Sequence, residues 1–383
     1  MEPIRLSGPA DVLAVLPYQL GYHPSDSLVA LALRDRQIGL VERIDLPPDE
    51  AVDAASAAVV LPLVREDPDG VLLVGYESRP GAAMPLADAV RDELVAAGVT
   101  VLDRLVVRDG RWYAPDCTTG CCPTAGHEQE VPRDVPAVAQ FVALEVAPLP
   151  GRESLAGLVA ADPAKTPSVV AALALLDARA DGRAVGERAV AVHRLRFLAT
   201  WAKALDVSDR DEAIPRGDHR RSSHRGDGLP GRAALTSDEV ALLVASLRDV
   251  ELRDGLIAWV CPGTLPLDAL SPDVVDALHS CLPEPAWHQR RRHEDAVIAG
   301  RRMVTRLQEL VREVPDEQAA ALLTVLANLA WWLGDGALTR VALDRALEHT
   351  PGYRLARLLE RMVDLGLRPR TVPVPMTGTE LSA

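Results

Sequence analysis

The chain has 383 residues, too many for one typical core, and 48% of them are hydrophobic, enough apolar mass for more than one folding unit. A formal charge of −14 argues against nucleic acid as a partner, because binding phosphates needs a positive surface. The opening MEPIRLSGPADVL lacks the basic start and apolar run of a signal peptide, and no uncharged apolar run approaches the ~18 residues of a membrane helix, so no membrane association and a cytoplasmic location are expected.

Ser7 reads as the cap of a short helix over 9–16 that Pro17 ends. A polar, turn-forming stretch at 18–27 leads into LVALAL at 28–33, an unbroken apolar run of the kind found in a strand covered on both faces. After a turn at 34–37, Ile38, Leu40, Ile44 and Leu46 alternate with polar residues as in a strand with one drier face. Pro48 and Asp49 open an alanine-rich helix reaching about Glu66, with Pro62 as a kink point. GVLLVGY at 70–76 is a second fully apolar strand. Leu86, Val90 and Leu94 mark a helix over 85–97 that Gly98 stops. A strand over 99–107 then meets Asp109-Gly110, a strong hairpin signal, so that Arg111, Trp112 and Tyr113 turn back along it. This order predicts an α/β domain with a mixed sheet and hairpins at its start and end.

Beyond Pro148 strand patterns vanish. Helical spacing appears near 153–161, 168–178 and 186–205, followed by a polar linker at 206–235 that carries ArgGlyAsp from Arg216 and again from Arg225. Thr236 and Glu239 have the spacing of a capping box, and Ser271 with Pro272 starts another helix. Arg290, Arg291, Arg292, Arg301, Arg302 and Arg306 form a basic stretch, read as a solvated helix face paired with acids such as Glu294 and Asp295. Helices over 316–333 and 337–348, joined by Gly334-Asp335-Gly336, form a hairpin that resembles the second half of a tetratricopeptide unit. One unit makes a hairpin and no solenoid. The expected division is an α/β domain over 1–148, a helical domain over 149–367 and a disordered tail over 368–383.

Three blocks, LSGPADVLAVLPYQLGYHPSDSLVAL, DRLVVRDGRWYAPDCTTGCCP and LAWWLGDGALTRVALDRALEHTPGYRLARLL, make the chain similar to an actinobacterial family of unknown function numbered 4192. The resemblance spans most of the chain and implies no activity.

Five cysteines, an odd number in a long chain, do not make a disulfide scaffold. Cys117, Cys121, Cys122 and His127 offer thiolates and an imidazole, the donors of a tetrahedral zinc site. Their spacing is irregular, and in an extended chain the adjacent Cys121 and Cys122 would point apart. The other readings are packed thiols with a labile disulfide, and a nucleophilic cysteine with His127 as its base.

A second constellation, residues 18–27, sets Tyr22, His23, Asp26 and Ser27 before the first central strand. It reads as a turn in which Gly21 takes an unusual φ and Asp26 or Ser27 bonds backbone amides, with a ligand-binding role open. There is no GxSxG elbow, P-loop or GxGxxG. Tyr76, Glu77 and Ser78 stand at the end of the second apolar strand, where a doubly wound sheet holds its ligands. The preferred expectation is a binding protein for a protein partner or a small ligand; the alternative is a hydrolytic or zinc-assisted enzyme. A groove along Trp331 and Trp332 would favour a protein partner.

Overall fold

The computed structural model describes residues 4–6, 8–35, 37–118, 120–129, 135–144, 146–180, 187–205, 235–283, 293–367, 369 and 379–381. Its N-terminal half is a mixed sheet built from β1 (Ile4–Leu6), β2 (Ser27–Arg34), β3 (Gln37–Asp45), β4 (Gly70–Tyr76), β5 (Val101–Arg108), β6 (Arg111–Tyr113) and β7 (His127–Glu128), completed by β8 (Thr379–Leu381). The strand order is β1-β8-β3-β2-β4-β5-β6-β7. β2 runs antiparallel to both β3 and β4, and β4 runs parallel to β5.

The unbroken apolar runs have the physical reason expected of them. On β2, Val29, Leu31 and Leu33 face one core while Leu28, Ala30 and Ala32 face another, so both faces of the strand are dry. The second core is closed by α2 (Val52–Arg65) and α3 (Met84–Ala96). The first is covered by α1 (Pro9–Leu20) and α4 (Pro136–Ala143) and continues into the helices that follow. These are α5 (Arg152–Gly157), α6 (Thr166–Ala180), α7 (Glu187–Leu205), α8 (Ser237–Ser246), α9 (Val250–Val260), α10 (Pro272–Cys281), α11 (His293–Glu313), α12 (Asp316–Trp332), α13 (Gly336–His349) and α14 (Arg354–Asp364).

Several local expectations change. α1 does not stop at Pro17 but runs on to Leu20, with Gly21 ending it at φ 78. The lost backbone bond is offset because Val12 to Pro17 and Leu20 are all buried. Gly8 occupies the N-cap without a side-chain bond, and Ser7 lies outside the described residues. Within the segment expected to be a disordered tail, Thr379–Leu381 pairs in parallel with Ile4–Leu6. The strand β7 and the helix α4 had no expectation at all. The capping box holds: Thr236 accepts from the Glu239 N–H, and Glu239 accepts from the Thr236 N–H. The linker with both ArgGlyAsp triplets and Arg290, Arg291 and Arg292 lie outside the described residues.

In the helical region, Arg345 is buried and ties the segment after α5 to the end of α11 and the start of α12. It donates to the carbonyls of Val159, Val311 and Val314 and to Asp316. Both tryptophans of α12 serve internal contacts: Trp332 is 1% exposed and donates to the Pro262 carbonyl, and Trp331 donates to the Leu367 carbonyl. Trp332 is thus a core residue, and Trp331 is partly buried against the same core.

Candidate functional site

The hairpin signal at Asp109-Gly110 sets the site. Both residues take positive φ, 52 and 69, and β6 returns antiparallel to β5 with Trp112 opposite Val107. The chain then loops from Ala114 through the cysteines and comes back as β7, where His127 pairs with Trp112. That closing strand gives the loop two fixed ends.

The first end is held by Arg104 on β5. Its guanidinium is almost fully buried and grips Asp116 by two bonds of 2.6 Å while also donating to Asp88 of α3. Asp116 is held below the usual carboxylate range by its hydrogen bond to Arg104, and Arg104 is pushed further up by the same bond. The second end is held by Arg111, which donates to the carbonyls of Ala125 at 2.7 Å and Gly126 at 2.9 Å. Gly126 is required there: φ is 72, and a Cβ would meet the Tyr113 ring at 2.6 Å.

Between those anchors the three sulfurs converge. The Sγ atoms of Cys117 and Cys121 are 3.2 Å apart, those of Cys121 and Cys122 are 3.9 Å apart, and all three lie within 4.8 Å of one another. The expectation that adjacent cysteines would diverge assumed an extended chain. Here Gly120 has φ 71 and the backbone bends at Cys122, which returns both side chains to one side. The Cys122 thiol is pushed up to about 12, first by its hydrogen bond to Cys117 and then by burial and by Cys121. The remaining cysteines, Cys261 and Cys281, belong to the helical region.

His127 is not one of this close group. Its ring stacks on Trp112 with centroids 4.2 Å apart and planes 20° apart, and its Nε2 is buried without a hydrogen-bond partner among the described residues. It does share a cavity of about 950 Å³ with the three cysteines, lined also by Asp103, Asp116 and Trp112. The α3–β5 connection, residues 98–100, forms another part of its wall, so the cavity opens beside the amino end of β5.

The constellation at 18–27 joins the stretch Tyr76, Glu77 and Ser78. Asp26, at φ 36, accepts from both the backbone N–H and the hydroxyl of Ser78, each at 2.8 Å, and this pulls its carboxyl below the usual range. Ser27 lies directly opposite Tyr76 across β2 and β4. Both hydroxyls are buried without a hydrogen-bond partner among the described residues, and burial raises the Tyr76 phenol. Glu77, 6% exposed, accepts from the N–H groups of Gly81 at 3.0 Å and Ala83 at 2.9 Å and from Arg108 at 2.6 Å. A carboxylate of the chain itself therefore occupies the amino end of α3, where a doubly wound sheet would receive a ligand's anion. Tyr22 is buried and bridges to Leu149, while His23 is exposed and donates through its backbone to the Leu149 carbonyl. Asp26 turns to Ser78, so the Ser, His and Asp of this stretch are each held by a different neighbour.

Sequence reading missed Arg104, Arg111, Asp88 and Asp116. A signal for Arg104 existed: a charged pair, Asp103-Arg104, interrupts an otherwise apolar central strand. Among the described residues no helix is long and apolar enough to cross a membrane. No curated protein and no solved structure matches the chain. The model of a family described as Domain of unknown function (DUF4192) matches residues 9–270 and 289–370, which is most of the chain. With that coverage, the chain belongs to the DUF4192 family.

Proposed function

We propose that the protein is a metal-binding protein and that Cys117, Cys121 and Cys122 hold a thiophilic ion, zinc being the divalent ion that suits thiolates without redox chemistry. The observation that carries this reading is the convergence of the three sulfurs within 4.8 Å of one another. With Zn–S bonds of about 2.3 Å, tetrahedral geometry sets sulfurs about 3.8 Å apart. The Cys121–Cys122 separation of 3.9 Å already matches this, and the 3.2 Å separation of Cys117 from Cys121 needs to open by about 0.6 Å. Packed thiols have no need of such a frame. Here Arg104 and Arg111 fix both ends of the loop, which is the outer support that metal ligands require. His127, expected as a fourth ligand, shares the cavity and stays outside the sulfur group.

The test is a zinc titration of the full chain against a chromophoric chelator. About one zinc per chain should be withdrawn from the chelator, and Cys117→Ser or Cys121→Ser should each abolish that while Cys261→Ser leaves it intact. Equal competition by the unaltered chain and by Cys121→Ser would refute the reading.

A further inference from the structure

We infer that the metal held by Cys117, Cys121 and Cys122 keeps its fourth coordination position open to the adjoining cavity and there takes the sulfur of a small thiol, bound as thiolate. This inference rests on the metal reading above and adds what the site is for.

Three observations lead to it. The first is the donor count. Beside the sulfurs the loop offers two metal-type donors: Asp116, both of whose carboxylate oxygens are taken by Arg104, and His127, whose backbone is fixed in β7 opposite Trp112 and whose ring lies flat against the Trp112 indole. Three protein ligands with a vacant fourth place are the pattern of a site that receives something, whereas structural zinc sites are closed by four.

The second is the space. A cavity of about 950 Å³ is bordered by all three cysteines, within the range of small-molecule sites. Among its walls are Val95 at 60% exposure and Leu102 at 54%, large apolar side chains that the fold leaves uncovered. They suit the carbon body of a ligand whose head reaches the metal.

The third is charge. Asp103 and Asp116 line the cavity. Arg91, a cation on the same wall, is engaged by Asp92 at 2.9 Å and Asp88 at 3.4 Å. An anionic carboxylate or phosphate would meet Asp103 and, among the described residues that line the cavity, no cation free of a carboxylate partner to receive it. A thiol enters neutral and becomes charged only at the metal: its S–H bond breaks, a metal–sulfur bond forms, and the proton leaves to solvent with no change of oxidation state. Softness points the same way, since an ion chosen by three thiolates takes a fourth readily.

The experiment uses the full chain loaded with Co²⁺, whose visible bands report ligand number and type, with 2-mercaptoethanol and benzyl mercaptan as the added thiols. The expected result is growth of the thiolate-to-cobalt absorption by about one third, from three thiolates to four, with cobalt still bound to the protein after gel filtration. Benzyl mercaptan should act at lower concentration than 2-mercaptoethanol, and Val95→Asp should weaken it several-fold while leaving cobalt binding unchanged. Bands that ignore both thiols but shift in His127→Ala would show a site closed by His127; the metal reading would then stand and this inference would fall. Cobalt bands that survive Cys121→Ser unchanged would remove the metal reading and this inference together.

Discussion

Arg104 donates to both carboxylate oxygens of Asp116, Nε to Oδ2 and Nη2 to Oδ1, each at 2.6 Å, and Asp116 directly precedes Cys117. A central strand thereby sets the position of the first cysteine. Arg104→Met should destabilise the protein by about 2 kcal/mol, less than for a fully buried pair because Asp88 and Asp116 are half exposed. It should also free the loop, seen as faster alkylation of Cys117 at denaturant concentrations that leave the fold intact.

Gly126→Ala tests the other end of the loop. The residue has φ 72 and would press its Cβ on Tyr113, so the loop must shift at a cost of about 2 kcal/mol. Because His127 follows, its stacking on Trp112 should loosen, visible as a change in tryptophan fluorescence. Unchanged stability and fluorescence would mean that the loop end is not fixed as described.

The Asp26–Ser78 contact predicts a pH dependence. Its two hydrogen bonds hold the Asp26 carboxyl below its unfolded value. A depressed carboxylate contributes stability above the unfolded pKa of about 3.9 and loses it as pH falls through the folded value. The melting temperature of Asp26→Asn should therefore lie below that of the unaltered protein at neutral pH, and the gap should close as pH falls through about 4 toward 2. A gap that stays constant would contradict the bonding. Zinc uptake by Asp26→Asn should be unaltered, since the turn and the cysteine loop are separate.

Arg345→Met should be the most damaging of these changes. The guanidinium is 9% exposed and satisfies carbonyls at Val159, Val311 and Val314 as well as Asp316, which would all lose their partner together. A loss of about 3 to 5 kcal/mol is expected by denaturant unfolding, with Arg345→Lys recovering only part of it.

Much of the sheet was legible because its strands announce themselves. LVALAL and GVLLVGY can be buried on both faces only in the middle of a sheet, and Asp109-Gly110 can turn only as a tight hairpin. Pro17 misled because its local effect on the helix is real but smaller than the burial on either side of it. The closing strand at His127 was invisible, since two residues carry no periodicity and their pairing is decided by Arg111 fastening Ala125 and Gly126. The cysteines were found as residue types but not as a geometry. Whether Cys121 and Cys122 diverge depends on backbone angles at Gly120 and Cys122, which the sequence does not state. Likewise the link between Asp26 and Ser78 spans two strands, so two stretches read separately turn out to be one turn-and-cap unit.

The measurement that bears most directly on the central claim is the metal content and free-thiol count of the full chain purified without chelator or metal-binding tag. About one zinc per chain, with Cys117, Cys121 and Cys122 protected from alkylation and both properties lost in Cys121→Ser, is the predicted result; the buried Cys261 is protected in either case. Metal-free protein whose cysteines of the 117–122 loop react at once, and which takes up no added zinc, would contradict it.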